Sequence, residues 1–394
     1  MKAADNRATL FVIYLTVVLD AAGIGLVWPV LPDLFMAAGK QANGLSYGLF
    51  ISLYALMQFV CAPLLGALSD RLGRRPVLMV SMAGAAINYG LMALLPPLGL
   101  LFIGRALAGV TGANMSVASA AMTDITPPEQ RAARFGRLNA AFGVGFVLGP
   151  VIGGVMRDFS LNWPFALAAV LVLLNLASTV FLLPETRKKG EAVEPVELNP
   201  LAPLRAILSF RSLAALLLTA AVFGVVGEIG GSVWVLYVEG RFHWHGATVG
   251  LSLALFGLFH ALVQAFLVGP ATQRFGERGA LVISMAADGL SYVAIALIDN
   301  GIYALALTPL FCVGGMGASI LTAVISHKAS DDRQGALQGV LSSLGSLAAV
   351  IAPVLFLTLY FATRNVFPGL VWIIGASLYV LCLPVVLSRK TYEH

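Results

Sequence analysis

The chain has 394 residues, of which 59% are hydrophobic and 11% are charged. A soluble domain carries about 25% charged residues, so this chain lacks the polar surface to cover itself in water, and an aqueous globule is excluded. Its net charge of +5 comes from short clusters between apolar runs, not from a basic stripe along one helix face, which argues against a nucleic-acid partner.

Apolar runs fall near residues 9–32, 45–67, 76–95, 98–123, 136–156, 162–183, 213–237, 247–269, 279–297, 302–326, 337–361 and 367–388. Each is close to the roughly 20 residues that span a bilayer as a helix. None alternates as a barrel strand would, and only helices or closed barrels satisfy their backbone in lipid. The expected fold is therefore an all-α integral membrane protein with twelve transmembrane helices. The first run lacks a cleavage site and leads straight into the polytopic pattern, so no signal peptide is expected. Cys61, Cys312 and Cys382 lie inside apolar runs without metal-ligand spacing. They read as small buried hydrophobes, and neither a disulfide framework nor a metal site is expected.

Orientation follows from the distribution of Lys and Arg. With both termini in the cytoplasm, 19 of the 24 fall on the inside, four (Lys40, Arg157, Arg241, Arg364) fall outside, and Arg105 lies within a span. The longest polar stretch, 185–211, reads as a cytoplasmic linker between an N-terminal six-helix half (1–184) and a C-terminal one (212–394). The two halves repeat. A shift of 203 residues takes Gly66 to Gly269, Arg71 to Arg274, Gly73 to Gly276, Arg75 to Arg278, Tyr89 to Tyr292, Gly112 to Gly315, Gly136 to Gly339 and Pro150 to Pro353. A constant offset across several helices points to duplication. Two pseudo-symmetric six-helix halves are a transporter architecture.

The segment Gly66-Ala-Leu-Ser-Asp70-Arg71-Leu-Gly73-Arg74-Arg75-Pro76 joins the second and third helices. Gly66 and Gly73 are expected to let the chain turn tightly, and Pro76 suits the first turn of the next helix. Asp70 can sit over the N-terminus of a neighbouring helix. The arginines, Arg71 and Arg74 among them, can pair with Asp70, Asp124 or lipid phosphates. This segment resembles the loop signature of the major facilitator superfamily. Arg105-x-x-x-Gly109-x-x-Gly112 agrees with it. So does Gly145-x-x-x-Gly149-Pro150-x-x-Gly153-Gly154, which is similar to the signature of that superfamily's drug/proton antiporters. Gly149 and Pro150 are expected to allow close packing and bending, as gates and not as ligand contacts.

Three further stretches narrow the resemblance to bacterial tetracycline/proton antiporters. They are Leu19-Asp20 through Pro32, Arg241-Phe-His-Trp244 with Phe256 to Gln264, and Met285-Ala-Ala-Asp288-Gly289. The similarity covers nearly the whole chain and is weakest in the linker. It implies a proton-coupled exporter in the bacterial inner membrane, acting as a monomer. The two halves would rock about a midplane site. The expected cargo is a small-molecule drug, most family-like a tetracycline chelated to a divalent cation such as Mg2+. No cofactor bound by the protein is implied, and the proton is the coupling ion. A broader multidrug or metabolite exporter is the alternative within the class. A membrane sensor that has kept the fold is the alternative outside it. No nucleophile elbow, HExxH or phosphate loop suggests an enzyme.

Ionisable residues inside spans are expensive and mark candidate function. Asp20 lies near the middle of the first span. It reads either as a hydrogen-bonded acid or permanent partner of Arg105, or as an acid whose proton occupancy changes with access to either side. Burial and a nearby arginine act in opposite senses on its proton affinity. Arg105 would keep a buried acid compensated. Asp288 can be a structural acid, and the resemblance implies coupling to protons or a cationic substrate. His260 is open between packing and the transport pathway, where the resemblance places it. Gln58 and Asn114 read as helix–helix hydrogen-bond groups or as pathway groups, and Gln264, in a matching stretch, and Asn88 are candidate substrate-binding residues beside them. Two positions depart from the antiporter pattern. Asn88 stands where those proteins have an acid, and Glu228 stands where they have glutamine. The acid count is kept and its placement changed. Proton coupling would survive this, while substrate geometry would differ. Glu228 can also be an exposed acid near the outer mouth.

Overall fold

A computed structural model describes residues 3–39, 43–187, 199, 210, 212–328, 330 and 333–388. Most of the expected linker 185–211 and the last residues of the chain lie outside the described residues. Among the described residues, twelve helices are long and apolar enough to cross a bilayer. They are α1 (Thr9–Ala37), α2 (Gly44–Leu72), α3 (Arg74–Ala93), α4 (Leu98–Asp124), α5 (Pro128–Phe159), α6 (Trp163–Leu182), α7 (Ala214–Phe242), α8 (Gly246–Phe266), α9 (Val268–Leu297), α10 (Gly301–His327), α11 (Gln334–Thr363) and α12 (Leu370–Leu387).

Several spans are interrupted, for legible reasons. α1 passes through one 3-10 turn at Trp28–Val30 and ends in the short helix Leu31–Ala37. Pro29 and Pro32 each fall in the first turn of their segment, where a missing N–H costs nothing. α4 is helical over Leu98–Val110 and again over Asn114–Asp124, with Thr111, Gly112 and Ala113 between. α10 consists of Gly301–Ala306, Thr308–Gly314 and Met316–His327.

One expectation about the second loop is corrected. α2 continues to Leu72, so Gly66 lies inside the helix and not in the turn, and a methyl group placed on it would meet nothing within 4 Å. Hydrophobicity fades after residue 67, but backbone hydrogen bonding does not need it. The turn rests on Gly73 alone, whose φ of 104° favours glycine. The repeat reappears here, because Gly276 has a φ of 69° and breaks the helical path inside α9.

By contacts, the chain falls into two compact units. One comprises Met1–Ala42, Leu56–Pro200 and His245–Ala254, and the other comprises Asn43–Ala55, Leu201–Trp244 and Leu255–His394. In the first unit α1 and α5 approach to backbone contact. A methyl on Gly149 would lie 2.6 Å from the Ala22 carbonyl, and one on Gly25 would lie 2.7 Å from Pro150 Cδ. Small residues at these positions allow van der Waals packing between helices, the main attraction available in lipid. In the second unit Trp234, Tyr292, Phe311 and Trp372 pack edge-on or tilted, with Trp372 wholly buried.

Candidate functional site

In the first unit the break in α4 organises the polar groups. Asn114, the first helical residue after it, donates Nδ2 to Asp20 Oδ1 at 2.6 Å. Before it, Gln58 of α2 donates Nε2 to the Gly112 carbonyl at 2.9 Å. The break frees carbonyls that an intact helix would use internally, and a side-chain amide fills one of those vacancies. Asp20 and Arg105 are both partly buried. The hydrogen-bond partner that the structure gives Asp20 is Asn114, where sequence reasoning had weighed Arg105. Asn88 of α3 is 2% exposed, and its Oδ1 has no partner. That oxygen would lie 3.0 Å from a methyl on Gly104, the residue beside Arg105.

In the second unit Asp288 of α9 is buried and accepts a 2.6 Å hydrogen bond from the Tyr379 hydroxyl of α12. Its other neighbour is the α10 backbone. A methyl on Gly314 would meet the Asp288 carboxyl carbon at 2.7 Å. Ser284 Oγ, one turn before Asp288, donates to the Gly314 carbonyl at 2.5 Å. On the adjacent residue, Gly315, a methyl would lie 3.0 Å from His260 Nδ1. The His260 ring stacks on Phe256, one turn away on α8. Gln264 Nε2 reaches the Gly315 carbonyl at 3.3 Å, and Ser319 donates to Gln264 Oε1 at 3.1 Å. Asp288, His260 and Gln264 therefore share one glycine pair. Glu228 of α7 is partly buried, flanked by Gly227 and Gly230, beside which a methyl would meet nothing within 4 Å.

The loop between α2 and α3 forms a charge cluster within the first unit. Arg74 pairs with Asp70 at 2.8 Å and with Asp124 at 3.0 Å, and Arg187 reaches Asp70 at 3.3 Å. Arg71 is exposed. Asp70 thus meets arginines, and the helix-capping role expected of it falls elsewhere. Glu185, just past α6, accepts the backbone N–H groups of Arg74 and Arg75 at the start of α3, at 2.8 and 3.2 Å.

Sequence reasoning missed Tyr379 and Glu185. Tyr379 is one aromatic among many in an apolar run, and nothing in the sequence sets it apart. Glu185 is the first acid after the sixth run, a signal that could have been read as a cap. Among the described residues, no group of three His, Cys, Asp or Glu side chains could hold a metal ion.

Two repeating sets of six helices, each with an acid inside a span beside a broken helix, are the architecture of a membrane transporter, not of an enzyme. Residues 13–353 and 229–393 match the model of the Major Facilitator Superfamily, and the chain belongs to that family. It is 47% identical over 382 residues to the tetracycline resistance protein, class C, of Escherichia coli, covering 96% of each chain. It is 43% identical to the tetracycline resistance protein, class G, of Vibrio anguillarum, covering 96% of this chain and 97% of that one. Among solved structures, a D323A mutant of the nucleoside transporter NupG superposes with a TM-score of 0.82 at 14% identity, over 98% of this chain and all of that one. That likeness speaks for the fold. The chain is a multi-pass bacterial membrane protein.

Proposed function

We propose that this protein exports a tetracycline, carried as its chelate with a divalent cation such as Mg2+, in exchange for protons. The observation that carries this reading is 47% identity, over 96% of both chains, to a tetracycline resistance protein. The geometry supports it. Asp20 and Asp288 are acids inside spans, each held by one neutral donor, Asn114 or Tyr379. A neutral partner lets a carboxyl be either charged or protonated without stranding an opposite charge. Asp20 and Asp288 then carry the protons, with Arg105 contributing charge in the first unit and Glu228 in the second. Asn88, Asn114 and His260 are the polar groups proposed for the drug's path, while Gln58 and Gln264 have their amides engaged by the Gly112 and Gly315 carbonyls. Asp70, Arg71, Gly73, Arg74, Asp124, Gly149 and Pro150 serve conformational gating. Drug and proton exchange only if they favour different protonation states of these acids, since a group indifferent to both couples nothing. The Lys and Arg bias supports cytoplasmic termini and monomeric action in the inner membrane is the simplest arrangement.

Inverted membrane vesicles provide the test. Tetracycline with Mg2+ should accumulate when an inward-acid gradient is imposed, and a protonophore should abolish the accumulation. Asp20→Asn and Asp288→Asn should each remove gradient-driven uptake while the protein remains in the membrane. Uptake indifferent to the protonophore, or full uptake by either variant, would refute antiport through these acids.

A further inference from the structure

The two broken helices are pinned in the same way. Gly112 and Gly315 are separated by the 203-residue repeat. Each presents its carbonyl to a glutamine amide from the second helix of its own half, Gln58 in one case and Gln264 in the other. What lies beside each break is an acid. Asn114, two residues past Gly112, donates to Asp20. Gly314, one residue before Gly315, packs directly on the Asp288 carboxylate. The two glutamines are not themselves related by the 203-residue shift, which takes Gln58 to Ala261. The amide reaches the same carbonyl from a place one helical turn further along. The contact has been kept while the residue supplying it has moved, which is what a required contact looks like.

We propose that Gln58 and Gln264 are positioning residues for the buried acids: each pins the carbonyl of a helix break and thereby sets the surroundings of Asp20 or Asp288. They act on the acids through the backbone and not by touching the drug. The inference rests on the reading of those two acids as the proton carriers. In the first unit the amide holds Gly112, and that places the Asn114 donor at hydrogen-bond distance from Asp20. In the second, Gln264 is steadied by Ser319 and holds Gly315. That keeps Gly314 against Asp288, whose other oxygen Tyr379 holds. Neighbouring polar and titratable groups would respond to the same movement. Around Asp288 these are Tyr379 of α12, Cys312 and the Gly314 backbone of α10, and Tyr292 on α9 itself. Around Asp20 the structure gives Asn114 of α4, while α5 packs Gly145, Gly149 and Pro150 against this stretch of α1, and α3 and α6 bring Tyr89 and Val172 to Gly23.

Gln58→Met and Gln264→Met keep side-chain length and remove the amide. Two readouts separate a positioning role from a drug contact. The first is the protonation midpoint of each acid in the purified full-length protein. It is followed by the infrared carboxyl band and assigned by subtracting Asp20→Asn or Asp288→Asn spectra. The second is the dissociation constant of Mg2+-tetracycline at fixed pH, without a gradient. Gln58→Met should displace the Asp20 midpoint by about half a pH unit or more and leave Asp288 in place. Gln264→Met should do the converse, and neither should change drug affinity more than about twofold. Unmoved midpoints with drug binding weakened tenfold would make the glutamines ligand contacts and overturn the proposal. Unmoved midpoints with unchanged binding would overturn it as well. Wild-type vesicles that fail to exchange drug for protons would sink the antiport reading while leaving the midpoint comparison to stand or fall by itself.

Discussion

At the scale of single residues, the most demanding contact is the one between Gly314 and Asp288. Gly314 has no unusual backbone angle to protect, so its lack of a side chain serves space alone. A methyl there would lie 2.5 Å from Asp288 Cβ and 2.6 Å from Oδ1. Asp288 is not free to step aside, because Tyr379 holds its other oxygen. Overpacking a filled interior costs about 1–3 kcal/mol. Gly314→Ala should therefore lower the thermal unfolding temperature in detergent and reduce gradient-driven uptake. Gly289→Ala is the control, since a methyl beside Asp288 in sequence meets nothing within 4 Å. It should unfold at or slightly above the wild-type temperature. Equal losses for the two variants would show that the α10 contact is slack. Asp288 itself was legible as an intramembrane acid. Its neighbours were not, because Tyr379 is 91 residues away and the fit against Gly314 depends on how two helices cross.

At the scale of elements, two helices, α3 and α8, owe their starts to distant carboxylates and not to local caps. α3 begins after Gly73, which has no side chain to offer, and its first amides turn to Glu185 instead. α8 begins at Gly246, whose N–H and that of Ala247 both reach the Asp158 carboxylate of α5, at 3.0 and 3.1 Å. A carboxylate there satisfies orphan N–H groups and complements the positive end of the helix dipole. Glu185→Ala should cost about 1 kcal/mol of stability, the usual worth of a cap. Glu185→Gln should lose less, because its amide oxygen still accepts. Thermal unfolding of the two variants beside wild type checks the order, and equal unfolding temperatures would deny Glu185 a capping role. This explains why sequence reading placed the twelve helices correctly and misassigned a cap. Hydropathy is summed over about 20 neighbouring residues and is robust to local error. A cap that joins residues 111 apart leaves no local pattern, and Asp70 was the nearer acid. The α2 end was misjudged for a related reason: apolarity marks where lipid ends, not where the helix does.

At the scale of the whole molecule, the internal duplication keeps geometry and exchanges charge. The pair Arg74–Asp124 of the first half maps, under the same 203-residue shift, onto Glu277 and His327. Those two also meet, His327 Nδ1 lying 3.0 Å from Glu277 Oε1. The link between the start of the third helix and the end of the fourth is thus present in both halves, with its polarity reversed. What permits the reversal is the residue four places before. Asp70 stands 2.8 Å from Arg74 and would repel an acid there, whereas its counterpart Gln273 is neutral. The surroundings differ as well: the Arg74 side chain is 8% exposed and that of His327 is 55% exposed. The first-half pair therefore sits where reversing charges is costly, and the second-half pair sits where exposed ions contribute under about 1 kcal/mol. Paired charge swaps should separate the halves. Glu277→Arg with His327→Asp should fold and transport like wild type. Arg74→Glu with Asp124→Arg should lose about 2 kcal/mol or more, because the new acid faces Asp70 in a poorly solvated place. Replacing Asp70 by Asn in that second variant should then recover part of the loss. Thermal unfolding and vesicle uptake measure all three. If the two swaps proved equally harmless, the charge of Asp70 would not be what fixes the polarity of the first half.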